Sequence, residues 1–368
     1  MEQFAKELIT RQGSSSAGET CHKWSYAAKL VQQYGVDSLT YLTLEKDKNH
    51  FFGLNTEGFI AYVVIDKIII CMGNPVCSES NMEGLFEEFL AFCRMKRCRV
   101  CFCSISKEFS VFLKKHGFLI SKYGEEALLD LDIYDLKGSS KLKLRQKLKR
   151  AEKAGITILE YFPQKLRDYN LEQKIVQISE EWLTNKNGKL GFTLGELNLD
   201  TPLARRYFVA VDENDDLHAI LMFSPFDNGQ GYFLDVMRRS SNSVPGVMEK
   251  SIVDAAMRMK NEGVKIVSLG LAPLAGMLSE KESSTFLERG MDFVYKNISQ
   301  GYNFKALHDY KKKFAPTRWE PRYIAHDSRL SPIKVAYVMI KARKSEGIWK
   351  QLILGLWEAK KIFAIKNK

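Results

Sequence analysis

One order of elements occurs twice in this chain, and no other feature restricts the fold as much: apolar strand, polar turn, helix, second strand. The clearer copy is 231–273, GYFLDVMRRSSNSVPGVMEKSIVDAAMRMKNEGVKIVSLGLAP. Stretch 232–238 is an apolar strand that meets opposite charges at Asp235 and Arg238, where a buried strand should be reaching its rim. The turn 240–245 is too polar to pack. Gly246 then opens a helix whose Val247, Ile252, Val253, Ala256 and Met257 recur at helical spacing, and the β-branched run 264–269 closes a βαβ unit. Ligands of such units gather outside the carboxyl ends of the strands, where backbone donors and a helix N-terminus face outward.

The earlier copy starts after a helix at 24–34. Strands are expected at 51–54, 58–65 and 67–72, a stop at Gly73-Asn74-Pro75, a helix at 82–93 with Leu85, Phe86, Phe89 and Leu90 on its apolar face, and a strand at 99–105. A short helix at 110–116 and one or two strands in 118–131 follow, and Gly84 is matched to Gly246. The chain therefore reads as an α/β (α+β) protein made of two copies of one module, 1–136 and 157–330. A connecting helix (137–156) joins them, and a tail (331–368) follows.

Charge restricts the partners. The sequence carries a net +11, which concentrates polyanions: nucleic acid, anionic lipid or an acidic substrate. Much of that charge sits in the connector KGSSKLKLRQKLKRAEKAG, where Lys141, Lys143, Arg145, Lys147 and Arg150 spread over most helix faces. A solvated linker is one reading and a phosphate-binding helix the other; the charge density favours the second. A second basic stretch, 301–325, interleaves Lys311, Lys313 and Arg322 with Tyr302, Tyr310 and Trp319. That mixture suits an unpaired nucleic-acid end, or else an aromatic core with snorkelling lysines. In the tail, Trp349, Leu352, Ile353, Leu356 and Trp357 fall on one side of a basic helix, as on an anionic membrane surface.

Other classes fall away. The seven cysteines all precede residue 104, and CRVCFC alternates like a strand with no second metal-binding pair, so the thiols read as small core residues. Stretch 59–72 is too short and too interrupted to span a bilayer, and no signal peptide is apparent, so a cytoplasmic chain is expected.

The segments GYFLDVMRR, VPGVMEKSIVDA, SLGLAPL and especially FKALHDYKKKFAPTRWEPRYIA resemble the C-terminal catalytic domain of bacterial phosphatidylglycerol lysyltransferases, the multiple peptide resistance factor group. The GNPV turn and KLRQKLKRAEKAG are similar too. The resemblance implies two tandem acetyltransferase-like (GNAT/Fem-type) modules with mixed sheets flanked by helices. It also implies transfer of an amino acid, lysine being expected, from aminoacyl-tRNA to phosphatidylglycerol at the inner face of the cell membrane, with no cofactor or metal. By motif match Asp235, Arg238 and Lys311 become catalytic candidates. Lys313, Arg322, Tyr302, Trp319 and Glu249 become substrate contacts, and the connector cations become tRNA contacts. Family members often carry a multi-span flippase domain ahead of this region; it is absent from this sequence, so no translocation role is expected. His308-Asp309 replaces a more basic pair. The competing readings are a CoA-dependent N-acyltransferase, disfavoured because RRSSNSVPG lacks paired glycines, and a non-catalytic lipid- or RNA-binding protein.

Overall fold

The computed structural model describes residues 17–185, 195–200, 203–273, 275 and 304–342. Among them a single mixed sheet of twelve strands carries the whole molecule. The first half supplies helix α1 (Ala17–Tyr34), strands β1 (Asn49–Phe52), β2 (Gly58–Ile65), β3 (Ile68–Met72) and β4 (Val76–Cys77), helix α2 (Met82–Met95), strand β5 (Arg99–Ile105), helix α3 (Lys107–Lys115) and strand β6 (Leu119–Asp130). The basic helix α4 (Leu142–Lys153) leads into the second half. There follow β7 (Thr157–Tyr161), α5 (Tyr169–Asn185), β8 (Arg206–Val211), β9 (Leu217–Phe226), β10 (Gly231–Arg239), α6 (Val247–Asn261), β11 (Ile266–Pro273), α7 (Phe304–Lys312), β12 (Arg318–His326) and α8 (Pro332–Ala342).

Both βαβ units form. β3 runs parallel to β5 with Ile70 opposite Cys101, and β10 runs parallel to β11 with Tyr232 opposite Val267; the other pairings are antiparallel. The expectation of one sheet per half is replaced by a shared one. Its order is β1-β2-β3-β5-β12-β6-β11-β10-β9-β8-β7, with β4 pairing β2 off this path, so each half lends its last strand to the other: β12 lies between β5 and β6, and β6 lies between β12 and β11.

Periodicity accounts for the packing. Leu85, Phe86, Phe89, Phe92 and Cys93 are the buried residues of α2, at the 1-2-5-8-9 spacing of one helical face, and they meet Phe51, Phe102 and Phe109. Cys71 and Cys93 are buried as free thiols in this core, Cys101 and Cys103 in a separate one with Ile70 and Ile324, and burial pushes Cys71 and Cys101 well up from the ordinary thiol range. Val247, Ile252, Val253, Ala256 and Met259 of α6 close the other core, beneath β8 to β11.

The two expected helix-opening glycines are not equivalent. Gly246 takes a left-handed backbone (φ +95°) just before α6, and α4 lies so close that a Cβ there would run into the Lys147 carbonyl oxygen. Gly84 lies within the first turn of α2 and faces the Thr56 side chain, and the left-handed glycine of the first loop is Gly73 (φ +64°).

Candidate active site

The β9–β10 ladder slips at one point. Leu234 faces Phe223 and Val236 faces Met222, which leaves Asp235 as the extra residue of a bulge. The carboxylate is therefore inside the sheet rather than at its rim, and its side chain has no solvent exposure. The Gly195 N–H donates to Oδ1 at 2.8 Å and the Ser224 hydroxyl to Oδ2 at 3.0 Å, while Arg205 Nη2 stands 3.9 Å from Oδ2. Burial raises the Asp235 carboxyl above its ordinary range; Arg205 opposes the shift and Glu45 adds to it. Gly195 crosses directly over the carboxylate, where any Cβ would collide with it. The partner expected from sequence, Arg238, makes no ion pair with Asp235 among the described residues, and Arg205 takes that place.

Arg238 is half-buried with its guanidinium 4.5 Å from the Trp182 ring of α5. Its Nε and Nη1 are shielded from water yet have no acceptor among the described residues. Burial lowers its pKa against the pull of Asp235 and Glu196. Such donors are rare in a finished interior and common where a ligand supplies the acceptor.

Lys311 is buried at the end of α7 and donates from Nζ to the Leu271 carbonyl at 2.8 Å. Desolvation pushes it down to about 7 despite Glu126. It passes Gly270 (φ +81°), which lies in the irregular stretch of β11 between Ser268 and Leu271. Arg322, expected at the substrate, is instead consumed internally: Nε donates to Glu126 at 2.7 Å, Nη1 to Asp37, and Nη2 to Ser38 at 3.2 Å and to Glu126. Ser38, at 2.5 Å, and Ser268 also donate to Glu126. Burial alone would raise the Glu126 carboxyl, but Arg322 and the two hydroxyls hold it below its ordinary range.

Around the N-terminus of α6, buried Glu249 draws Lys147 to 3.3 Å and Lys313 to 3.9 Å, with Lys313 also over the Tyr310 ring. Trp319 packs against the His308 ring at 4.8 Å. Of the connector cations, Lys141, just before α4, sits over the Tyr134 ring, Arg145 donates to the carbonyls of Leu136 and Gly138, and Lys143 and Arg150 are exposed. Tyr302 and the expected basic helix of the tail around 349–357 lie outside the described residues.

Residues 28–326 match the family model described as phosphatidylglycerol lysyltransferase, C-terminal. The chain belongs to this family. The phosphatidylglycerol lysyltransferase of Staphylococcus epidermidis is 24% identical over 302 residues, which cover 82% of this chain and 35% of that protein. The chain thus spans about a third of the length of the curated relatives it matches. Among solved structures, L-PGS from Bacillus licheniformis superposes with a TM-score of 0.76 at 25% identity, covering 88% of this chain and 97% of that one. FemX, at 10% identity over 82% of this chain and 95% of its own, shares the fold with a TM-score of 0.50. Every candidate placed above falls within the family's matched span. Sequence reasoning missed Arg205, Ser224, Glu45 and Trp182, because bulge geometry and a contact 160 positions apart leave no local signal.

Proposed function

We propose that the chain transfers an amino acid, lysine by the names of its relatives, from aminoacyl-tRNA to a hydroxyl of phosphatidylglycerol at the membrane surface. The observation that carries this reading is a carboxyl group in a dry bulge three residues from a half-buried guanidinium whose Nε and Nη1 have no partner among the described residues. The lipid hydroxyl oxygen attacks the ester carbonyl carbon and its proton passes to Asp235, whose raised proton affinity suits a base. The tetrahedral oxyanion collapses, the bond to the terminal ribose oxygen breaks, and that oxygen takes the proton back. Arg238 offers a phosphate the N–H groups that have no acceptor among the described residues, and Lys311 supplies positive potential behind the end of β11. Asp235 has no solvent exposure beneath Gly195, so the reaction requires that it first be uncovered.

Two placements support this reading over its competitor. A CoA pyrophosphate at the N-terminus of α6 would meet the buried Glu249 carboxylate, and α4 packs against Gly246. The exposed Lys143 and Arg150 suit tRNA phosphates without base readout. No helix among the described residues is long and apolar enough to cross a membrane.

The test is transfer of labelled lysine from charged tRNA to phosphatidylglycerol vesicles, with alanyl- and arginyl-tRNA in parallel. Asp235→Asn should lose on the order of a hundred- to ten-thousand-fold in rate while binding tRNA as before. Undiminished turnover in that variant removes Asp235 from the mechanism.

A further inference from the structure

Two neighbouring non-glycine residues, Leu203 (φ +43°) and Ala204 (φ +60°), stand in left-handed conformations just before β8. Such residues are uncommon and persist only where surroundings enforce them. The enforcing groups here come from the other half of the chain. The Tyr41 hydroxyl donates to the Leu203 carbonyl, the Tyr41 ring lies 5.0 Å from the Arg205 guanidinium, and Glu45 accepts from Arg205 Nη2. The strained turn delivers Arg205 into the interior, where its Nε donates to the Ser224 hydroxyl at 3.2 Å.

That last contact fixes a direction. A guanidinium only donates, so the Ser224 oxygen must accept from Arg205, and its single hydrogen is left for Asp235 Oδ2 at 3.0 Å. We infer that Arg205 is a positioning residue of the transfer site, held by Glu45 and Tyr41 of the first half and orienting the Asp235 carboxylate through the Ser224 hydroxyl. The inference rests on the reading of Asp235 as proton acceptor. It assigns the first half of the chain a part in the chemistry of the second.

The charged and titratable groups facing Asp235 are Arg205 and Glu45 on one side, Arg238 further along β10, and the phenols of Tyr41 and Tyr207. Of these, Arg205 is the first cause that favours the ionised carboxylate, and Ser224 acts the same way. Removing either leaves the proton bound to a higher pH.

The experiment is the pH dependence of kcat/KM for transfer from charged tRNA to phosphatidylglycerol vesicles, in the full chain. Ser224→Ala should move the acid limb up by about one pH unit, the worth of one hydrogen bond to a charged group, with rates converging on the parent's at higher pH. Arg205→Met should move it further and Arg205→Lys should bring it part of the way back. Ser224→Ala keeps nearly the same volume, so it stands in if Arg205→Met fails to fold. Loss by the same factor at every pH is the mark of a merely structural role and overturns the proposal. If the unsubstituted chain transfers nothing, it is the transfer reading that fails. The relay is then read from melting temperature against pH, relative to Asp235→Asn. Because the folded carboxyl binds its proton more tightly than the unfolded one, its contribution to stability is present at low pH and lost as pH rises through the folded value. Ser224→Ala should extend that loss to higher pH, and an unmoved curve sinks the relay.

Discussion

At Lys311 two effects compete: burial disfavours the ammonium, and Glu126 favours it. Burial wins, and the group titrates near about 7 rather than in the ordinary lysine range. The sign of the consequence follows from linkage. Between about 7 and the unfolded value the unfolded chain holds a proton that the folded chain has released, so stability rises with pH over that window and is flat below it. Lys311→Met should remove this slope, worth at most about 1.4 kcal/mol per pH unit for one proton, as read from urea unfolding at pH 6 to 10. A slope unchanged by the substitution would place the titration elsewhere. Lys311 and Asp235 were both legible in the sequence because a charge inside an apolar strand or an aromatic stretch is conspicuous. The partners of Arg322 were not: Glu126 and Asp37 sit 196 and 285 positions from it. Chain distance of that size hides a pairing from any local pattern, and so Arg322 looked free for substrate when it is spent in the core.

Among the elements, α4 and α6 illustrate how much composition conveys. The cationic run of α4 was visible as charge, but its attachment depends on the sparse apolar residues: Leu144 and Ala151, one heptad apart, are buried. Against α6 that contact is close enough for Gly246 to lie under the Lys147 carbonyl, in a backbone conformation glycine alone adopts cheaply. Gly246→Ala should therefore cost about 1–3 kcal/mol from the backbone alone. It should lower the melting temperature and weaken tRNA binding if α4 is displaced; a variant as stable as the parent would mean the two helices separate freely. Strand and helix identities followed from period-2 and helical spacing. Bulges did not, because a one-residue slip at Asp235 or near Gly270 changes neither hydrophobicity nor length. The site is built on those slips, so its residue types could be nominated from sequence while their burial and partners could not.

For the molecule as a whole, the repeated βαβ order was legible in the sequence, but the exchange of last strands left no trace in either copy taken alone. A fragment ending at 136 would carry β5 and β6 without β12 and β11, leaving β6 unpaired on both sides, β5 unpaired on one, and Glu126 without Arg322. Expressed by itself it should aggregate or stay unfolded, and the intact chain should unfold in one denaturant transition seen alike by fluorescence and far-ultraviolet circular dichroism. Two separated transitions would show that the halves are independent. The seam bears on ancestry as well. Asp37, Glu126 and Arg322 meet there from three distant places, so a recombinant that took its opening portion from one relative and its closing portion from another would join acids and a guanidinium never selected together. A crossover that separates Asp37 and Glu126 from Arg322 therefore keeps the cluster only where both parents carry the same three residues.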